Sequence, residues 1–309
     1  MSGTRTLITG GAGFIGSHLA ERLLAEGDEV VVVDNLSNGR REWIPEDAVF
    51  VERELTREGA LADVLTSEID RVWHLAASKA VNADRPHEQF RANTEMTLTV
   101  LQAMRDRGVG ELVYTSSSTV YGEAPRPTPE DYAPLEPISV YGASKLADEG
   151  LVSTYAHSHG ITVWNFRFAN IVGPRLEGAV IPDFVEKLRA DPERLTILGD
   201  GRQEKSYMHV SDCLDAMLTV VAETDRPLNT FNLGTGTTTS VTRIADIVSE
   251  ELGLDPEYAY TGGERGWVGD VPKMRLSIEK LRALGWEPTL ESDAAVRTAA
   301  RELIDASGA

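Results

Sequence analysis

Tyr141-Gly142-Ala143-Ser144-Lys145 sets a phenol and an ammonium four residues apart, so a helix through this stretch carries both on one face. Such a pair can move protons, because the positive charge favours the phenolate and a phenolate can take a proton from an alcohol. The spacing alone proves little, since Tyr and Lys meet this way by chance on many surface helices. Upstream, Thr115-Ser116-Ser117-Ser118-Thr119-Val120-Tyr121-Gly122 leaves the end of a strand pattern with a run of hydroxyls. Doubly wound folds place their active sites at the carboxyl ends of strands.

A second constellation lies near the start. Thr9-Gly10-Gly11-Ala12-Gly13-Phe14-Ile15-Gly16 stands between a strand pattern and a helix pattern. Gly10 permits a tight turn, Gly13 lets the backbone approach a pyrophosphate, and Gly16 lets helix and strand pack closely. The helix N-terminus, where Phe14 and Ile15 lie, offers N–H groups and partial positive charge to the phosphates. Asp34 closes the next strand, and a carboxylate there accepts hydrogen bonds from a ribose 2′-OH and repels a 2′-phosphate. The combination predicts a dinucleotide site for NAD rather than NADP. Arg40 and Arg41, nearby, pull the other way.

These groups have to be held by strands and helices, and the apolar periodicity supplies them. Strands are expected at Thr4–Thr9, Glu29–Asp34, Ala48–Glu52, Arg71–Ala76, Glu111–Ser116 and Thr162–Phe168. Helices are expected at Phe14–Glu26, Gly59–Thr66, His87–Arg107 and Tyr141–His159. This alternation implies an α/β fold, a doubly wound parallel sheet of the Rossmann type, with a second, smaller α/β domain. Ala124–Pro137 carries five prolines and reads as a loop. Past Gly173-Pro174 the elements shorten, with a helix pattern at Val210–Val221 and a strand at Asn229–Gly234 expected to return to the main sheet. The expected division is a dinucleotide-binding domain over 1–173, with a returning segment around 211–236, and a substrate domain over 174–309, with a cleft between them.

Composition narrows the partners. With 309 residues, 41% hydrophobic and 26% charged, the chain has the make-up of a folded protein rather than a disordered one. No apolar run approaches the roughly 18 residues of a membrane-spanning helix. Met1 passes into the first strand too soon for a signal peptide, so the expected location is cytoplasmic, with no membrane partner. The single cysteine, Cys213, excludes an internal disulfide and sits in an apolar helix pattern, a poor place for a nucleophile. A net charge of −19 repels nucleic-acid phosphates, so no nucleic acid is expected as a partner. Lysine occurs only at Lys79, Lys145, Lys187, Lys205, Lys273 and Lys280, and such an acidic, lysine-poor surface fits a high-salt cytoplasm. No metal site is expected.

The glycine loop, Asp34-Asn35-Leu36-Ser37-Asn38, His74-Leu75-Ala76-Ala77, Asn93, the serine cluster, Tyr141 with Lys145, Arg167–Pro174 and Gly269-Asp270 together resemble the extended short-chain dehydrogenase/reductases. Within them the chain is most similar to the nucleotide-sugar 4-epimerases of the NAD-dependent epimerase/dehydratase family, over nearly its whole length. The resemblance implies Ser117, five residues before Gly122, as the catalytic Ser/Thr, Tyr141 as acid/base, and Lys145 as ligand of the nicotinamide ribose. It implies that Gly39, Glu54, Leu55, Leu75, Ala76, Ala77, Lys79, Asn93 and Ala169 line the cofactor along with Asp34–Asn38. It further implies that Ser117, Tyr141, Asn170, Val180, Lys205, Tyr207, Arg265 and Met274 meet the substrate. Lys205 stands where the family usually begins an Arg-Asp pair, which keeps a positive charge and loses the bidentate fork.

In the chemistry this implies, Tyr141 takes the proton of the sugar 4-OH while C4 passes a hydride to NAD, and the keto sugar takes the hydride back on its other face. Dehydratases and decarboxylating relatives usually place an acid just after the catalytic Ser/Thr, whereas here Ser118 and Thr119 carry none. The expected activity is therefore interconversion of UDP-glucose and UDP-galactose with tightly bound NAD. A reductase of nucleotide 4-keto sugars is the alternative, and a dinucleotide-binding scaffold without activity is disfavoured by the intact Ser117, Tyr141 and Lys145. His87–Arg107 and Tyr141–His159 take the places of a four-helix interface in the family, which predicts a homodimer. Met274, four residues after Asp270, takes the place that flanks the sugar 2-substituent, so UDP-hexoses are expected to be turned over better than UDP-N-acetyl sugars.

Overall fold

The computed structural model describes residues 3–79, 85–267 and 269–306. The first half runs β1 (Arg5–Thr9), α1 (Phe14–Ala25), β2 (Glu29–Asp34), β3 (Val49–Glu52), β4 (Arg71–His74), α2 (Pro86–Arg107), β5 (Glu111–Ser117), α3 (Val140–His159) and β6 (Thr162–Phe168). The second runs β7 (Asn170–Val172), α4 (Val180–Ala190), β8 (Arg194–Ile197), β9 (Glu204–Lys205), β10 (Tyr207–His209), α5 (Val210–Glu223) and β11 (Leu228–Leu233). It closes with β12 (Thr239–Ser240), α6 (Val241–Leu252), β13 (Glu257–Tyr260), β14 (Lys273–Met274), α7 (Glu279–Ala283) and α8 (Ser292–Ala306).

Seven strands form one sheet in the order β3–β2–β1–β4–β5–β6–β11, and the pairings from β3 through β5 are parallel. Val30–Val33 shows why: four consecutive β-branched residues, all buried, suit a strand covered on both faces. Leu7, Val72, Leu101, Met104, Leu112 and Val152 are completely buried in the core that joins this sheet to its helices. Withdrawing each such side chain from water contributes about 1.5–3 kcal/mol. α2 starts at Pro86, one residue before the expected boundary, because a proline in the first turn has no N–H to leave unpaired. It ends where Gly108 turns left-handed, at φ 72°, and the Val109 N–H caps the Met104 carbonyl.

Two expectations fail. Gly59–Thr66 is not a helix but a series of turns. Its bonds are mostly three-residue ones, such as Val64 N–H to Leu61 O, and Gly59 itself is left-handed at φ 71°. Leu61 and Leu65 are fully buried, so their helix-like spacing reflects two core anchors on successive turns. The strand expected at Arg71–Ala76 stops at His74, where the chain leaves the ladder to pass the glycine turn.

Two compact units divide the chain. One holds the residues through Val120, Val140–Phe166 and Val221–Thr230, and the other holds Tyr121–Ser139, Arg167–Val220 and Phe231 onwards. In the second unit, α4, α6 and α8 pack on one another beside short sheets pairing β7 with β10, β8 with β13, and β9 with β12 and β14. Among the described residues no helix is long and apolar enough to cross a membrane.

The parallel sheet brings the chemistry-bearing turns of the first unit to one edge. The carboxyl ends of β1, β2, β4 and β5 deliver Gly10, Asp34, Leu75 and Ser117 respectively.

Candidate active site

The glycine turn is packed as tightly as the backbone allows. Gly10 has φ 72°, and a Cβ there would stand 2.7 Å from the Ala76 nitrogen; at Gly16 it would stand 2.2 Å from the Gly10 oxygen. Gly13 differs, since its missing Cβ would meet only the Gly10 oxygen, at 3.3 Å. Gly13 is the N-cap of α1, no side chain caps it, and no acidic residue lies in the first turn. A helix start with bare N–H groups and an open flank fits a pyrophosphate.

Asp34 holds the rim of this turn. It is 9% exposed, with one oxygen accepting the Ala12 N–H at 3.0 Å and the other the Leu36 N–H at 2.8 Å. Burial raises its pKa against these bonds, and each oxygen keeps a lone pair for a ribose hydroxyl. Leu36 takes a left-handed φ of 57°, an unusual place for a branched side chain, and strain of this kind concentrates in binding loops. Gly39 lies against Ala12, while Asn35 donates to Glu54 Oε2 at 2.8 Å. Burial pushes the Glu54 pKa up, but hydrogen bonds from Thr56 and Asn35 bring it below its usual value. Leu55 is buried behind it. The two arginines that favoured a 2′-phosphate are engaged elsewhere, Arg40 with Glu42 and Arg41 over the Phe50 ring at 4.2 Å.

Tyr141 and Lys145 stand one turn apart near the start of α3, as their spacing predicts. Lys145 is 2% exposed and donates to the Thr115 carbonyl at 2.8 Å and the Tyr114 hydroxyl at 3.2 Å. Burial lowers its pKa to about 8, with Asp148 and Glu149 opposing the fall. Burial raises Tyr141 to about 12, with Asp148 adding to the rise. Ser117 ends β5, and its oxygen accepts the Thr119 N–H at 3.2 Å and the Thr119 hydroxyl at 3.0 Å. That leaves the Ser117 hydrogen to be donated.

Asn93 and His74 turn out to be ties between elements. Asn93 donates to the Ser78 carbonyl and to the Ser144 hydroxyl, at 3.2 and 2.9 Å, and accepts the Ser78 N–H at 2.7 Å. It thereby pins the segment of Leu75, Ala76, Ala77 and Lys79 to α3. His74 bridges the hydroxyls of Thr9 and Thr97, at 2.7 and 3.1 Å, and burial drops its pKa to about 3, so it stays neutral. Asp148 and Tyr114, in contact with this network, were not singled out from the sequence. The available signal was a carboxylate three residues after Lys145, on the stripe that Tyr141 and Lys145 occupy.

Ala169, Asn170, Val180, Lys205, Tyr207, Arg265 and Met274 are residues of the second unit. Asn170 donates to the Ser206 carbonyl at 3.3 Å, the Ala169 N–H caps Leu233 O, and Val180 opens α4. Lys205 pairs with Asp270 at 2.5 Å and lies over the Trp267 ring. Arg265 donates to the Asp270 carbonyl at 2.5 Å and pairs with Glu123. Both basic groups thus close on the Gly269-Asp270 turn. Tyr207 is buried, and Met274 is 8% exposed, opposite Lys205 in the strand register. Among the described residues no group of three or more His, Cys, Asp or Glu is placed to hold a metal, and Cys213 is buried with its thiol pKa raised by that burial.

The family model described as the NAD dependent epimerase/dehydratase family matches residues 6–234. The UDP-glucose 4-epimerase of Mycolicibacterium smegmatis is 33% identical, over 92% of this chain and 93% of that protein. UDP-glucuronic acid decarboxylase 2 of Arabidopsis thaliana is also 33% identical, over 93% of this chain but 65% of that longer protein. A crystal structure of a UDP-galactose 4-epimerase superposes with a TM-score of 0.90 at 43% identity, covering 98% of this chain and 99% of that one.

The glycine turn generates a direct test. Gly16→Ala forces the Gly10 carbonyl aside, so the variant should lose about 1–3 kcal/mol of stability and purify with little NAD. The nucleotide released on denaturation measures this, and wild-type occupancy in Gly16→Ala would contradict the assignment of the turn.

Proposed function

The chain belongs to the NAD-dependent epimerase/dehydratase family of extended short-chain dehydrogenase/reductases and uses NAD, and within that family we propose that it is a UDP-hexose 4-epimerase. One observation carries this reading. Tyr141 shares a helix face with a Lys145 that is buried and anchored to the main chain, and the residues after Ser117 are the hydroxyls Ser118 and Thr119. Elimination needs a base for the sugar C5 proton, and neither hydroxyl can serve as one at neutral pH. Oxidation and reduction at C4 need only one group that accepts a proton and returns it.

Bound NAD supplies the hydride acceptor and later donor, together with a positive ring. The protein supplies the proton chemistry. At rest Tyr141 is a phenol, since burial holds its pKa at about 12. Lys145, still charged at neutral pH, favours the phenolate. Once the phenol proton has gone to solvent, the Tyr141 phenolate takes the 4-OH proton and gives it back after the keto sugar has turned over, while Ser117 donates a hydrogen bond to the same sugar oxygen. The names of the relatives support UDP as the nucleotide.

With UDP-glucose and no added cofactor, the purified protein should form UDP-galactose. Tyr141→Phe should keep its NAD while kcat falls by about 10²–10⁴-fold. Near-normal kcat in that variant would remove Tyr141 from the chemistry, and UDP-glucose left unchanged while a nucleotide 4-keto sugar consumes added NADH or NADPH would favour a 4-keto-sugar reductase.

Met274 sets the second expectation. We place it beside the sugar 2-substituent, where an unbranched thioether can change rotamer to make room. UDP-hexoses should then be preferred over UDP-N-acetylhexosamines, with the latter still accepted. Met274→Tyr should depress kcat/KM for the N-acetyl sugars more than for the hexoses. Equal losses on both would show that Met274 is only packing.

A further inference from the structure

The stripe of α3 that carries Tyr141 and Lys145 carries a third polar group. Asp148 lies three residues beyond Lys145 and seven beyond Tyr141, and it is 1% exposed. Its Oδ2 accepts the Tyr114 phenol at 2.9 Å. Its Oδ1 is buried with no hydrogen-bond partner of good geometry, and burial raises the Asp148 pKa against the opposing pull of Lys145, Tyr114 and Thr97. Tyr114 is fully buried and held as a phenol, so it passes one direction of hydrogen bonding: the Lys145 ammonium donates to its oxygen, and its own hydrogen goes to Asp148.

A buried carboxylate with an unfilled oxygen is destabilising unless a positive charge offsets it. Lys145 is the cation that faces Asp148. The other groups around the pair come from every neighbouring element. β4 brings neutral His74, β5 brings the Tyr114 phenol, and α2 brings the uncharged Thr97 and Asn93. α3 itself adds Tyr141 and Glu149, the latter receiving the Ser116 hydroxyl at 2.6 Å.

We propose that Asp148 is the positioning residue of the catalytic lysine, fixing the Lys145 ammonium through the Tyr114 hydroxyl and supplying the negative charge that keeps it protonated. The proposal rests on Tyr141 and Lys145 being the proton-transfer pair. Burial already brings Lys145 down to about 8 with the Asp148 charge in place. Without that charge only Glu149 opposes the effect of burial, so the Lys145 pKa falls further, and a neutral amine gives a phenolate no support. The same charge raises Tyr141, so its removal lowers both pKa values. Activity needs Tyr141 ionised and Lys145 charged together, so lowering both pKa values moves the pH profile as a whole toward lower pH.

Asp148→Asn keeps the size of the side chain and removes the charge. Lys145 can be watched directly in cofactor-free protein labelled with ε-¹³C lysine, because so few lysines share the spectrum and Lys145→Met assigns its signal. The wild-type midpoint is expected near pH 8, and in Asp148→Asn at least about one pH unit lower. In the holoenzyme, both limbs of the kcat–pH profile on UDP-glucose should shift acidward. An unmoved Lys145 midpoint, or a profile that falls in height without shifting, overturns the proposal. If Asp148→Asn does not fold, Tyr114→Phe cuts the bridge with a residue suited to apolar surroundings and must lower the same midpoint. An unmoved midpoint there overturns the proposal equally. Near-normal kcat in Tyr141→Phe is a different failure: it removes the proton-transfer reading and leaves the Lys145 titration to be judged alone.

Discussion

The Lys145 ammonium is anchored at 2.8 Å to the carbonyl of Thr115 and at 3.2 Å to the hydroxyl of Tyr114, with 2% of the residue exposed. So little water surrounds this charge that only groups already in place can solvate it. Both anchors belong to β5, the strand whose last residue is Ser117. The seating of α3 on β5 therefore positions Tyr141 and Ser117, proposed to act on the sugar, together with the lysine proposed to support the phenolate. A helix turns by about 100° per residue, so a one-residue slip of α3 would strand the ammonium and misdirect Tyr141 together. Asn93 on α2 opposes such a slip, since it binds Ser144 of α3 and Ser78 of the loop after β4.

The cofactor end follows from the same sheet. Parallel strands send their carboxyl ends to one edge, and the turn after β1 is stripped of side chains where it must pass Ala76 and the start of α1. What remains at that edge is backbone N–H and the Asp34 carboxylate, already braced by Ala12 and Leu36. Arg40 and Arg41 are drawn away to Glu42 and Phe50. A dinucleotide with a free 2′-OH suits that balance better than one with a 2′-phosphate.

The parts of the molecule that were legible in the sequence are those with local causes. Val30–Val33 reads as a buried strand because four β-branched residues leave it little else to be, and Gly10, Gly13 and Gly16 read as a phosphate turn because all three fall within seven residues between a strand pattern and a helix pattern. Helix geometry puts Tyr141 and Lys145 on one face, and the glycine turn and serine cluster give that pairing its meaning. Local patterns also misled: Leu61 and Leu65 imitate a helix although each is an anchor in a run of turns, and Leu75 and Ala76 extend a strand on paper that the chain abandons at the glycine turn. The polar ties were invisible for a different reason. Asp148 meets Tyr114 across 34 residues of chain, Asn93 meets Ser144 across 51, and Lys205 meets Asp270 across 65. Periodicity says which face of a helix is buried, and nothing in it says which distant hydroxyl or carbonyl that face will find.

The central claim is that one hydride leaves C4 of a UDP-hexose and returns to the same carbon on the opposite face. UDP-glucose carrying deuterium at C4, incubated with the purified protein without added cofactor and followed by NMR, tests this directly. Epimerisation through tightly held NAD gives UDP-galactose with the deuterium still at C4. Loss of the label to solvent, or no interconversion until NAD is added, would contradict it.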